Sequence, residues 1–156
     1  MMSSVDELID SVAAIGRHYQ LDDFRLNHEQ MATFALPDGL TVTIECAAEP
    51  PLRAFVIVEL TSIRDSDFDE MAMALLDLNC RWLDTGGASF ALHPTSDKVL
   101  AILPVPAAML NAAILPHVVD RFLARCRTWA DKINRGETDL SVRSEIESSL
   151  DAAANA

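Results

Sequence analysis

The side chains that could carry chemistry in this chain are four histidines, three cysteines and several paired carboxylates, and their spacing decides what they can do. His18, His28, His93 and His117 fall in different stretches, and none lies near a cysteine or carboxylate at the spacing of a metal site or a nucleophile–base triad. They read as structural. Cys46, Cys80 and Cys126 form an odd set with no CxxC pair, which argues against a disulfide framework or a zinc site and for small apolar fillers. Cys80 could act as a nucleophile only beside an activating base, and the sequence names none. The pairs Asp22-Asp23, Asp65-Ser66-Asp67 and Asp69-Glu70 could share acid–base work, yet two of them sit at a helix start, where the helix dipole already explains them. Gly86-Gly87 lacks the following Lys-Ser/Thr of a phosphate loop and precedes a strand. The expectation is a protein that is not an enzyme, with no catalytic, metal-binding or cofactor-binding residues and no cofactor.

The elements around these residues are legible from periodicity and breaks. Ser4-Val5-Asp6-Glu7 reads as a capping box, and Val5, Leu8, Ile9, Val12, Ile15 and Tyr19 recur on one stripe of a first helix. A polar connector over 22–29 leads into alternating residues 31–36, the turn Pro37-Asp38-Gly39 and a second alternating run with Leu40, Val42 and Ile44 on one face, which predicts a hairpin. Glu49-Pro50-Pro51 breaks the run. Residues 54–60 are apolar at nearly every position, as in a strand covered on both faces or with one face offered to a partner.

Ser66 to Asp69 reads as a second capping box. The helix that follows carries two apolar stripes, Met71, Leu75, Leu78 with Trp82, and Phe68, Ala72, Leu76, Cys80 with Leu83. That is more apolar surface than one core contact needs, so one stripe is expected at home and the other against a second copy. After Thr85-Gly86-Gly87 come a strand over 88–92, a turn over 94–97 and a strand over 99–103, stopped by Pro104 and Pro106. Val118, Phe122, Cys126, Trp129 and Ile133 define a long last helix, with Asn111 as a candidate N-cap, a kink or late start imposed by Pro116, and Gly136 as terminator. Leu140, Val142, Ile146 and Leu150 form a weaker helical pattern in a polar tail.

The predicted fold is α+β and single-domain, in the order helix, three strands, helix, two strands, helix, with a twisted antiparallel sheet and a homodimer through the middle helix. Residues 1–135 form the domain and 136–156 the tail. At 156 residues and 50% hydrophobic, the chain can bury a sizeable core. Its net charge of -12 is uneven: 1–120 is net -12, 121–135 net +4 and 136–156 net -4. Such an acidic body repels nucleic acid and anionic membranes. With no long apolar run and an acidic N-terminus, the expected location is the cytoplasm. The apolar surplus then marks interaction surfaces, with Val5, Ile9, Val12, Phe34, Leu36, Val42 and Ile44 as candidates for binding a partner.

The ordered series of a first helix, the TFALPDGLTVTIEC hairpin, the RAFVIVEL strand, the LLDLN helix, TGGASFAL and the RFLARCRTWADKI helix resembles the CesT (Tir chaperone) family of class I type III secretion chaperones over nearly the whole of Val5 to Asn134. The resemblance implies a small, acidic homodimer in the bacterial cytoplasm that binds the N-terminal chaperone-binding segment of a secreted effector in extended form. It would keep that effector soluble and deliver it to the secretion apparatus without ATP hydrolysis. Carried over, the dimer interface falls on Leu75, Leu76, Cys80, Trp82, Val99 and Ile102, and the effector grooves on the first helix and first three strands. The alternative is a non-catalytic regulatory adaptor or small-ligand-binding protein of similar fold.

Overall fold

Strand β1 (Met31–Ala35) and strand β2 (Thr41–Ala47) are joined by the Pro37-Asp38-Gly39 turn, where Gly39 takes φ +92° and Asp38 Oδ1 accepts from the Leu40 N–H at 3.3 Å. Proline presets the turn and glycine accepts the positive φ that closes it. The computed structural model describes residues 5–47 and 52–142, so the Ser4 cap, the Glu49-Pro50-Pro51 break and the Ile146 and Leu150 positions lie outside the described residues. Strand β3 (Arg53–Ser62) follows, then helix α2 (Phe68–Asn79), the single-turn α3 (Trp82–Thr85), β4 (Ser89–Leu92), β5 (Lys98–Val105) and helix α4 (Leu115–Asn134), with helix α1 (Val5–His18) at the start. The five strands form one antiparallel sheet in the order β1-β2-β3-β5-β4.

All three long helices lie on one face of that sheet: α4 crosses β3, α1 lies beside α4, and α2 lies beside β4. Burial along β3 therefore alternates. Ala54, Val56, Val58 and Leu60 are buried under the helices, while Phe55, Ile57 and Glu59 on the other face stay half-buried. The continuous apolar run of β3 thus resolves into one packed face and one uncovered face. Trp129 of α4 sits in the middle of the core, fully buried, edge-on to Phe90 of β4 at 4.8 Å. Its indole N–H donates to the Leu140 carbonyl at 3.1 Å, which satisfies the one polar group this ring brings inside.

Local starts and stops differ from the sequence expectation at Ser66 and at Asn111, since Ile114 is the N-cap of α4, and meet it at Pro116. Ser66 caps nothing: residues 65–67 form a 3-10 turn, Asp67 is the N-cap of α2 without a side-chain bond, and the Ser66 hydroxyl donates to Asp67 Oδ1 at 3.0 Å. The 3-10 turn already occupies the backbone that a capping box needs. Pro116 produces a late start, with α4 beginning at Leu115 and the proline in its first turn, where a missing N–H costs nothing. Asn111 Oδ1 accepts from the N–H groups of Ala113 and Ile114 and closes the preceding turn. Gly136, at φ +70°, ends α4, and the chain folds back so that Leu140 and Val142 are buried in the core.

Candidate functional site

The candidate surface has three parts: an open sheet edge with the helix that reaches it, an apolar ridge on α2 and α3, and the helix-free face of the sheet. Strand β1 is an outer strand. The bonds Cys46 N–H to Gln30 O and Leu36 N–H to Leu40 O fix which residues pair with β2, so the alternation directs the backbone of Met31, Thr33 and Ala35 away from the sheet. Met31 is closed by Asn27, which receives the Met31 N–H on its side chain at 3.0 Å and donates its own N–H to Met31 O at 2.8 Å. Thr33 and Ala35 present N–H and C=O groups to the edge. The opposite edge is treated differently. Asn79, at the end of α2, accepts the Phe90 N–H at 2.7 Å and donates to Phe90 O at 3.0 Å, so the outward peptide groups of Phe90 are already paired and only Leu92 of this short strand faces outward beyond it.

Helix α1 packs along α4 and reaches β1 through Tyr19 at its end; its inner stripe of Leu8, Val12 and Ile15 is buried and its outer stripe shows Val5 (49% exposed) and Ile9 (53%). The C-terminal end of α1 is held by Asp120 of α4, which accepts from Tyr19 at 2.5 Å and from His18 Nε2 at 2.8 Å. Burial, then the bond to Asp120, push the Tyr19 phenol well above its ordinary range, so it remains a donor at any physiological pH. Tyr19 and Phe24 pack on Phe34 at 5.0 and 5.3 Å between ring centres. The turn of the hairpin is tied to α4 by Arg127 and Asp38 at 2.6 Å. Burial pushes the Asp38 carboxyl up, but the bond from Arg127, the Leu40 N–H and the guanidinium charge outweigh it and hold the group below the usual carboxylate range.

On α2 the stripe Met71, Leu75 and Leu78 is buried, and the opposite side carries Met73 (67% exposed), Leu76 (61%) and Cys80. Trp82 (65%) and Leu83 (75%) of α3 extend this ridge. On the helix-free face, Phe55 and Ile57 of β3 meet Pro104 and Ile102 of β5 across the ladder, all of them half-buried or exposed.

Of the residues expected at a dimer interface, Leu76, Cys80, Trp82 and Ile102 reach the surface. Leu75 and Val99 do not: they point to the packed side, Leu75 under α2 and Val99 into the sheet core at 0% exposure. Of those expected to bind a partner, Val5 and Ile9 are exposed and Leu36 is half-buried. Val12, Phe34, Val42 and Ile44 are core residues, because their faces of α1, β1 and β2 are the ones the sandwich closes. Met73, Phe55 and Ile57 were missed as surface candidates. Met73 stands three residues before Leu76, so helical spacing alone could have found it; Phe55 and Ile57 could not be told from their buried neighbours until the sheet had a bare side.

Of the chemistry-bearing residues, the fold brings His18 to Asp120 and sets the His18 and His117 rings 6.2 Å apart, contacts that their separation in sequence did not show. Cys46 and Cys126 are buried, and burial raises both thiols, that of Cys46 to about 11. Among the described residues no cluster of three or more His, Cys, Asp or Glu could hold a metal ion. No helix among them is long and apolar enough to cross a membrane.

Comparison with known proteins gives one family and one fold. The model of the Tir chaperone protein (CesT) family matches residues 11–130. No curated protein matches the chain in sequence. Among solved structures, a chain of the ExsC-ExsE complex is similar at TM-score 0.67 and 18% identity, over 85% of this chain and 97% of that one. A chain of the HopA1-SchA chaperone-effector complex is similar at TM-score 0.64 and 16% identity, over 83% and 98%. The structure of the Yersinia pestis type III secretion chaperone SycH with a stable fragment of YscM2 gives TM-score 0.54 and 13% identity, over 78% and 98%.

Proposed function

We propose that this chain, which belongs to the Tir chaperone protein (CesT) family, is a type III secretion chaperone: it binds the N-terminal segment of a secreted effector and keeps it soluble and competent for export. It works by binding alone, without catalysis, in the bacterial cytoplasm. The observation that carries the reading is the asymmetry of the sheet edges. Thr33 and Ala35 leave the β1 edge open and α1 exposes Val5 and Ile9, while Asn79 occupies the outward groups of Phe90 on the other edge. An extended segment adding to β1 gains backbone hydrogen bonds at the edge and apolar contacts on α1, the combination that holds an unfolded segment without requiring it to fold first. Similar folds that hold a chaperone with its effector, as in the HopA1-SchA complex, support it.

The working unit in this reading is a homodimer through the ridge of Leu76, Cys80 and Trp82, continued by Met73 and Leu83. Burying one such leucine or methionine is worth about 2 kcal/mol, so a ridge of this kind favours a covered state. Hydrogen exchange on the chain with and without a co-expressed exported protein tests the function: the Thr33 and Ala35 amides slow on binding and the Phe90 amide, already held by Asn79, does not. A captured protein that is never exported, or protection absent from β1, overturns it.

A further inference from the structure

The basic cluster over 121–135 is partly neutralised within the chain. Arg127 pairs with Asp38 and Arg135 with Glu137, just as Arg64 pairs with Asp67 and Arg81 with Asp77 elsewhere. Arg121 and Arg125, one helical turn apart, have no ion pair among the described residues. Both line a cleft of about 300 Å³ whose other walls include Leu103, Pro104, Pro106 and Phe122. Gly86 belongs to the same cleft, in the left-handed region at φ +62°, and a methyl group there would overlap Nη1 of Arg125. The first glycine of the Gly86-Gly87 break therefore does more than end α3: it leaves room for the Arg125 guanidinium to lie against the backbone at this cleft.

Two uncompensated guanidiniums beside an apolar wall are unusual on a chain of net charge -12. That charge repels a polyanion most strongly, whereas a single carboxylate is repelled far less and, inside the cleft, is governed by the two guanidiniums beside it. We propose that this cleft binds an acidic, apolar peptide segment, with a carboxylate held between Arg121 and Arg125 and the adjacent apolar side chains against Leu103, Pro104 and Phe122. The site is built from β5 and α4 and is separate from the open edge of β1, so it adds a second, charge-selective contact to strand addition. Guanidinium–carboxylate bonds of this kind are short, directional and often bidentate.

The test uses the full chain and two fluorescein-labelled peptides, one with a single glutamate flanked by leucines and one with glutamine in place of that glutamate. The glutamate peptide is expected to bind at least about tenfold more tightly, and the Arg121→Gln/Arg125→Gln double variant to lose that preference while keeping its circular dichroism melt. Should the double variant unfold, the exposed Arg121→Gln change alone is expected to reduce the preference. Equal binding of the two peptides, or a preference that survives both substitutions, overturns the proposal. A double variant that changes oligomeric state in light scattering without peptide also overturns it, and gives the cleft to a second copy of the chain.

Discussion

Asn79 shows how much one side chain decides. Its two bonds pair the outward N–H and C=O of Phe90 on β4, and an alanine there leaves both without that partner. Asn79→Ala is expected to cost about 1–3 kcal/mol in urea unfolding, and Asn79→Asp to recover only the part owed to the Phe90 N–H, since a carboxylate cannot donate to the carbonyl. Asp38 makes a pH prediction of definite sign. Its folded-state pKa lies below the unfolded one, so its contribution is complete above the unfolded value of about 4 and is lost as pH falls through the folded value. Unfolding curves between about pH 5 and pH 3 should converge for the native chain and Asp38→Asn, with a modest difference at neutral pH because the pair is partly exposed. Neither residue stood out in the sequence. Asn79 is an ordinary helix terminus there, and its partner is eleven positions away on a strand whose edge exists only once the sheet is assembled.

At the scale of the element, α2 divides its apolar residues between two surroundings. Leu75 is 5% exposed and Leu76 61%, so adjacent leucines report on different contacts. Leu75→Ala is expected to destabilise the protomer by about 2–5 kcal/mol. Leu76→Glu should leave protomer stability within about 0.5 kcal/mol and, in the proposed homodimer, shift the light-scattering mass toward a single chain. A Leu76→Glu protein that keeps its mass, or that melts like Leu75→Ala, would sink the ridge as the dimer surface. The excess of apolar residues on this helix is visible from composition and period. Which stripe faces in is not, because both satisfy helical spacing equally and the choice depends on where β4 and α4 stand.

Across the whole molecule, three long helices on one face leave a sheet with one bare face and a more open edge at β1 than at β4. Ala35→Pro removes an N–H that the β1–β2 ladder does not use, a substitution edge strands accept, so stability should change little. Client binding at that edge, measured by calorimetry with the captured effector segment, should weaken about tenfold for the lost backbone bond and the restricted neighbour. Amino-acid order alone determined the long helices and the strands, their sequence along the chain and the hairpin at Pro37-Asp38-Gly39, because period, proline and glycine act within a few residues; it did not show that α2 stops at Asn79 and leaves Trp82 and Leu83 on a separate turn. It also carried the family resemblance that the match over residues 11–130 establishes. Tertiary structure decided the strand order, the burial of Val12, Phe34, Val42 and Ile44, and the exposure of Val5, Ile9 and Leu76. The reason is that exposure belongs to no residue by itself: an apolar side chain is core or surface according to what long-range packing places over it.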